Sequence, residues 1–507
     1  MNKERLLHTS FVVLILASCT VSLLTLYSQS IRLDESQSIW ASTRSIPGLL
    51  AYIAQDVHVP LYALILHIWM QIFGTDIMVV RSLSFVFFVL TLPFMYWFAK
   101  ESSSKRAAYL TVALFSLSPF VMWYSNEARM YTLFTLVTSV NHLYFLRMVR
   151  SEGKTSKFGY LVSAIAGLYT HYFFFFLLIT QGIFILGRMI SFIYTDQEFG
   201  SKSLWELIKK YLAFPLKWLG IATEAFLFLL PWITYVYSLG TANNASPMIP
   251  RPTSFNLFQT IVQFLFGFQT QAVQAFIIAL WPLTLIMLFM LFTKRKRLPV
   301  EGIGYFGFVT VLPIILVFFV SFIRPIFLTR YLILVTPSLF FILAWSMLSY
   351  SKKVSTYLVT TFMLVLLGLS GYQNISSATP VKEDYAGVDT YLSMNTTAKD
   401  IIAVSAPFTI YPIEYGYDGQ AKIDTIPLWN RYDETGGAIP PYSDEKLKAQ
   451  IEAYKKQYKR VFIVLSYDQG YEEKIRKYMD ENYEIYKTQR FSSGLEMRSY
   501  ILRYDVQ

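Results

Sequence analysis

The sequence predicts a polytopic α-helical membrane protein with a small soluble α/β domain at its C-terminal end. Three observations lead there. Hydrophobic residues fill 54% of the 507 positions and charged residues only 15%, with 42 Phe and 36 Tyr, too apolar and aromatic for an ordinary water-soluble domain. The apolar residues gather in runs separated, up to Lys353, by short basic clusters, the pattern of spans and cytoplasmic loops. Past Gly371 the chain turns rich in Lys, Glu, Asp and Tyr. The net charge of +11 is thus mostly a matter of loop placement, and no nucleic-acid partner is called for. The single cysteine, Cys19, excludes an intrachain disulfide.

The N-terminus, with Lys3 and Arg5 before an apolar run, resembles a signal sequence, and Leu16-Ala-Ser-Cys19 resembles a lipoprotein cleavage box. The run continues to Leu26, however, which favours a retained first span. Spans are expected at 9–28, 77–99, 107–124, 131–149, 158–170, 173–190, 213–238, 273–293, 303–323, 331–349 and 354–372, about eleven in all. Segment 58–74 decides the topology. If it lies along or dips into the outer face, the clusters Lys100–Arg106, Arg147–Lys157, Arg188–Lys210, Lys294–Arg297 and Lys352-Lys353 all fall inside with the N-terminus. If it crosses, every one of them moves outside. The positive-inside rule selects the first arrangement, a multi-pass cell-membrane protein with a cytoplasmic N-terminus and an extracytoplasmic C-terminal domain. The expected domains are therefore 1–373, a transmembrane domain with an outer-face loop at 29–76, and 374–507, the α/β domain.

This topology places several polar residues on one outer face: Asp34, Glu35 and His58 in the first loop, and Glu127, Arg129 and Tyr131 after the third span. His171 follows between two short spans, and Arg324, Arg330 and Tyr331 lie between the ninth and tenth. Each has a plainer reading. Tyrosines populate membrane interfaces, arginines anchor there, His171 can be a satisfied core histidine, and Glu127 with Arg129 can be a simple ion pair. Their shared face, and the length of the loop before the second span, point instead to one site at the membrane boundary.

In the tail, strand-like runs at 401–405 and 461–466 alternate with helical patterns near 383–394, 444–457 and 470–480, and two strands at about 483–490 and 496–504 close the domain. It has no Gly-rich phosphate loop, no Cys/His zinc spacing and no GxSxG elbow. The prolines at 247, 250 and 252 and the aromatic stretch after them read as a second outer loop with an interfacial helix.

Carboxylates, a histidine and arginines meeting where water meets lipid suit a lipid-linked phosphate substrate, its tail among the spans and its headgroup outside. Arginine binds phosphate through paired, charge-assisted hydrogen bonds. Asp34 can then take the proton of an acceptor hydroxyl as that oxygen attacks the sugar carbon, an inverting displacement without a covalent intermediate. Glu35 can tune or orient it, or bind the acceptor.

The order Asp34-Glu35, His58-x-Pro60-Leu-Tyr62, Arg81-x-x-Ser84, Glu127-Ala-Arg129-Met-Tyr131 and Arg330-Tyr331-Leu resembles the dolichyl-phosphate-mannose–protein mannosyltransferase family. More narrowly, it is similar to the bacterial and archaeal relatives in the C superfamily of glycosyltransferases, which includes the lipid A aminoarabinose transferases. The resemblance covers roughly 1–372, and Lys382-Glu-Asp-Tyr385 at the start of the tail is also similar. It implies a glycosyltransferase C-type fold, a polyprenyl-phosphate-linked sugar donor, inversion and Asp34 as the catalytic base. It also implies an acceptor that is a lipid, a glycan or a protein. Val59 stands where protein-specific members often carry a proline, and their large lumenal inserts are absent; both favour a lipid or glycan. No cofactor is named by the sequence, and a divalent cation is left open. The alternative class is a polytopic transporter or flippase of a lipid-linked glycan, which would place its polar groups near mid-membrane.

Overall fold

The computed structural model describes residues 3–26, 29–56, 58–151, 153–196, 204–239, 249–269, 300–375, 383–431 and 439–503, with isolated positions between 270 and 299. Contacts divide the chain into two units. The first comprises Met1–Leu26, Asp56–Ile65 and Met78–Pro380; the second comprises Tyr27–Gln55, Leu66–Ile77 and Val381–Gln507.

The helices before the tail are α1 (Lys3–Leu24), α2 (Leu33–Ser42), α3 (Ile46–Ala54), α4 (Leu61–Phe73), α5 (Ile77–Ser102), α6 (Lys105–Leu117), α7 (Pro119–Ser125), α8 (Tyr131–Ser151), α9 (Lys154–Thr170), α10 (Phe174–Thr195), α11 (Ala213–Ser238), α12 (Ser254–Phe266), α13 (Tyr305–Ile323), α14 (Thr336–Leu348) and α15 (Lys352–Ile375). Among the described residues six helices are long and apolar enough to cross a membrane, or seven if the bent pair α6–α7 counts as one span. The other expected spans fall on shorter or more polar helices. The one expected at 273–293, like the basic loop Lys294–Arg297, lies outside the described residues. Large apolar side chains such as Phe319, Ile323 and Leu364 stand exposed, as lipid-facing residues do and those of a water-soluble monomer rarely do.

Two departures from the expected spans have local causes. The span expected at 107–124 breaks into α6 and α7 with a bend of 65°. Ser118 is extended (φ −62°, ψ 121°) because the residue before a proline is kept out of the helical region. Its hydroxyl then accepts from the Val121 amide and caps α7. The span expected at 331–349 begins as a 3-10 turn over Thr329–Val335 before α14. Helix α4, with 13 residues, is about 20 Å long, well short of a bilayer's hydrocarbon thickness of about 30 Å.

The second unit holds a five-stranded sheet: β1 (Asp400–Ser405), β2 (Lys422–Thr425), β3 (Arg460–Ser466), β4 (Glu484–Ser492) and β5 (Leu495–Ile501). The spatial order is β2-β1-β3-β5-β4. The first three strands are parallel, while β5 and β4 are antiparallel. Gly494, with φ +75°, makes the tight turn between β4 and β5. Its helices are α16 (Tyr385–Asn395), α17 (Ile410–Gly416), α18 (Asp444–Gln457) and α19 (Glu472–Asn482). Ile401, Ala403, Val461 and Ile463 pack with Leu447, Ile451 and Met479. Ile402, Val404, Phe462 and Val464 pack on the other face with Val388, Leu392 and Ile413. A sheet core buried on both faces explains the unbroken apolar runs of β1 and β3. The sequence reading missed β2 and α17. β2 is a four-residue edge strand whose first three positions are not buried, too short for a period-2 signal.

Candidate functional site

In the membrane unit the turn between α7 and α8 gathers most of the polar residues singled out above. Asn126 pins it to α1: its amide donates to Thr25 Oγ1 at 2.8 Å, and its carbonyl accepts from Ser22 Oγ at 3.0 Å. On the other side Ser84 Oγ of α5 donates to the Arg129 carbonyl at 3.3 Å, and Tyr62 Oη lies 3.0 Å from that Ser84 hydroxyl. Arg81, almost fully buried, donates to the Leu26 carbonyl at 2.7 Å. A turn clamped on both sides has little freedom left, so Glu127 and Arg129 ride on a fixed backbone.

Arg129 Nη2 lies 2.7 Å from His58 Nε2. A guanidinium has only donors, so the imidazole nitrogen accepts and the ring is neutral. Asp56 stands 3.6 Å from the same nitrogen. His171 stacks on Phe134 with ring centroids 5.0 Å apart and lies 5.0 Å from the Tyr331 ring. Its Nδ1 accepts from the Phe173 amide at 3.1 Å. Burial, and after it the positive charges nearby at Arg129 and Arg330, push the His171 pKa down to about 3, so the neutral form of this histidine is favoured. Arg330 lies 5.7 Å over Tyr331. His58, Tyr62, Arg129, His171, Arg330 and Tyr331 therefore form one cationic, aromatic-walled cluster. Glu127 and Tyr131 are fully buried beside it in the same turn and the start of α8. Arg324 is not part of it. That residue caps the C-terminus of α13, exposed, outside the hydrogen bonds that join the others.

Asp34 and Glu35 belong to the second unit, in the first turn of α2. Glu35 is fully buried and its Oε2 accepts from the Arg32 amide at 3.0 Å. This side chain closes the helix start, the work of an N-terminal cap. Asp34 is half-buried, its own carbonyl accepting from Ser38 Oγ at 2.9 Å. A carboxylate in a helix's first turn is favoured by the unsatisfied amides there.

Sequence reasoning passed over Asp56, Ser22 and Thr25, and named Arg81 and Ser84 only as part of a motif. Serines and threonines in apolar helices give no signal of their own, and their partners lie far along the chain. Among the described residues no group of three or more His, Cys, Asp or Glu side chains is placed to hold a metal ion.

Known proteins resemble this arrangement in sequence and in fold. Residues 57–194, about a quarter of the chain, match the family described as dolichyl-phosphate-mannose-protein mannosyltransferase. The fold is like that of ArnT from Cupriavidus metallidurans in the apo state, with a TM-score of 0.62 at 12% identity, covering 98% of each chain. It is also like the same protein bound to undecaprenyl phosphate, with a TM-score of 0.57 at 11% identity, covering 98% of this chain and 99% of that one. At these identities the likeness is one of fold, and the chain shares that fold. No curated protein matches the chain. The family match runs from just before α4 to α10 and includes His58, Arg129 and His171. Neither comparison supports the transporter or flippase alternative.

Proposed function

We propose that the protein is an inverting glycosyltransferase working at the extracytoplasmic face, with Asp34 as general base. Family and fold together support glycosyl transfer from a polyprenyl-phosphate-linked sugar; the face, the residue roles and the acceptor class are our reading. The observation that carries it is the cationic cluster of Arg129, His58 and Arg330 in a fold shared with a protein that holds undecaprenyl phosphate. Arg129 and Arg330 are the donors for the phosphate: always charged, and able to pair with its oxygens. Neutral His58 and His171 keep net positive charge on the arginines without adding further repulsion.

The acceptor hydroxyl loses its proton to the Asp34 carboxylate while its oxygen forms a bond to the anomeric carbon. The bond from that carbon to the phosphate oxygen breaks, and polyprenyl phosphate leaves carrying the negative charge. Glu35, committed to the helix cap, tunes and positions its neighbour. The basic loops place the N-terminus in the cytoplasm and the C-terminal domain outside. Val59 in the His58-x-Pro60 motif favours a lipid or glycan acceptor over a protein.

Single-turnover transfer from a saturating polyprenyl-phosphate sugar tests the assignment. Asp34→Asn should slow transfer by about 10²–10⁴-fold with donor binding intact, and Glu35→Gln should do less. Arg330→Ala should weaken donor binding by about 1.5–3 kcal/mol, the cost of a charged hydrogen bond, with only partial rescue by Lys. Parent-rate transfer by Asp34→Asn, with loss in Glu35→Gln or Glu127→Gln, moves the base elsewhere.

A further inference from the structure

Helix α2 has only ten residues, fewer than the 12–15 or so at which an isolated helix becomes even marginally stable in water. What holds it decides where Asp34 sits. Four anchors are visible within the second unit. Gln37 Nε2 donates to Tyr52 Oη of α3 at 2.7 Å, and the Ser42 carbonyl lies 2.8 Å from His67 Nδ1 of α4. The other two come from beyond residue 381. The Ala386 amide donates to Ser30 Oγ at 2.9 Å, just before the helix. Near its far end, Trp40 meets the Tyr411 ring at 5.0 Å and the Arg431 guanidinium at 5.3 Å.

Arg431 is the centre of that last contact. Its guanidinium lies 5.2 Å from the Tyr411 ring as well as 5.3 Å from the Trp40 ring. It also pairs with the Glu414 carboxylate. The Arg431 side chain is 5% exposed and Glu414 is 30% exposed, so water screens this pair little on the arginine side, where a cation over an aromatic face is strongest. Tyr52 Oη, 3.4 Å from Tyr411 Oη, extends the set to α3. Trp40 is six residues after Asp34, about 120° round the helix at 100° per residue. The Trp40 contact therefore holds α2 about a third of a turn round from Asp34.

We propose that Arg431, through Trp40, is a positioning residue for Asp34, and that the C-terminal domain serves the transfer reaction by fixing the helix that carries the base. This rests on the reading of Asp34 as base. In Arg431→Ala the indole loses its cation and Glu414 its partner. Helix α2 then samples positions displaced by an ångström or so, enough to slow a positioned proton transfer by up to about 100-fold. The donor phosphate is bound by other residues, so donor affinity stays.

The test uses the full-length protein in lipid nanodiscs, with two readouts. Single-turnover transfer and donor binding are measured for Arg431→Ala, Arg431→Lys, Trp40→Ala and Trp40→Phe, with Arg498→Ala as a control that breaks a different tail ion pair, to Asp480. Hydrogen exchange is followed at α2 and at β1 and β3. Both alanine variants should slow transfer at unchanged donor affinity and quicken exchange in α2 but not in β1 or β3. Lys and Phe, which keep a cation and a ring, should recover part of the rate. Arg498→Ala should transfer at the parent rate. If Arg431→Ala also frees β1 and β3, the Lys and Phe variants decide. Parent rates in all four variants, unchanged α2 exchange, or a loss that lies wholly in donor affinity overturns the proposal. A parent protein that transfers no sugar from any polyprenyl-phosphate donor defeats the functional reading instead, while the α2 exchange data still decide whether Arg431 holds the helix.

Discussion

In the membrane unit a chain of neutral hydrogen bonds crosses five helices. Trp218 of α11 donates to Tyr160 of α9 at 2.8 Å, and Tyr160 donates to Gln181 of α10 at 2.7 Å. Gln181 donates to Asn141 of α8 at 2.8 Å and to Tyr305 of α13 at 2.9 Å, and Tyr305 Oη lies 2.7 Å from His142 Nδ1. In the C-terminal domain the corresponding anchors are charged. Arg460 grips Asp400 with two bonds of 2.9 and 2.8 Å, and Arg498 reaches Asp480 at 2.9 Å. The contrast follows from the surroundings. A charge in hydrocarbon costs several kcal/mol, so the bonds of this network join uncharged groups. In the C-terminal domain the arginines keep contact with water, the Arg460 side chain being 22% exposed, and each arrives at its carboxylate with hydrogen bonds that offset the loss of hydration. Charges are present in the membrane unit too: buried Arg81 bonds the Leu26 carbonyl, Arg129 lies against His58 and Arg330 beside the Tyr331 ring. The last two are the ones our proposed lipid phosphate would pair with.

The comparison can be broken at its strongest point first. Arg460→Ala leaves Asp400, whose side chain is 2% exposed, buried without its partner. The domain should lose about 3–5 kcal/mol, read from hydrogen exchange at β1. Replacing both by leucine should restore most of it. pH sharpens the same test. Burial alone would raise the Asp400 pKa, but the hydrogen bonds from Arg460 and Thr397 outweigh it and hold the carboxyl below its ordinary value. Its folded pKa lies below its unfolded one, so its contribution is present above the unfolded value and fades as pH falls through the folded one. Arg460→Ala should remove that acid-side loss.

A smaller effect is expected from Gln181→Leu, which removes three hydrogen bonds from the membrane network. At about 0.6 kcal/mol each, the cost is roughly 2 kcal/mol, measured by thermal unfolding in detergent, and it should not change with salt. If salt alters it, the network contains charge and the contrast fails. The smallest effect belongs to Lys422, 3.4 Å from Asp424 and 62% exposed. Lys422→Ala should cost well under about 1 kcal/mol, as exposed pairs do, and nothing measurable at high salt.

The sequence by itself determined the membrane class, the α/β tail, the strands β1 and β3, and the order of acidic, histidine and arginine motifs. Each is written in a local pattern: a hydrophobic run is a span wherever it folds, and alternation of strand and helix signals is read within a few dozen residues. The break at Ser118-Pro119 was equally local, and the proline was there to be read. What only the tertiary structure decided is the use of each polar group. Glu35 and Asp34 are adjacent carboxylates in the sequence, yet Glu35 is fully buried and closes the helix start while Asp34 stands half-buried in the first turn. Arg324 and Arg330 look alike as outer-face arginines, but only Arg330 stands with His171 and Tyr331. Arg431 carries no motif at all, and its work appears only once Trp40 lies against it. A hydrogen bond or a cation over a ring is made by distance and direction, and partners so far apart in the chain are brought to that distance by the packing of everything between them.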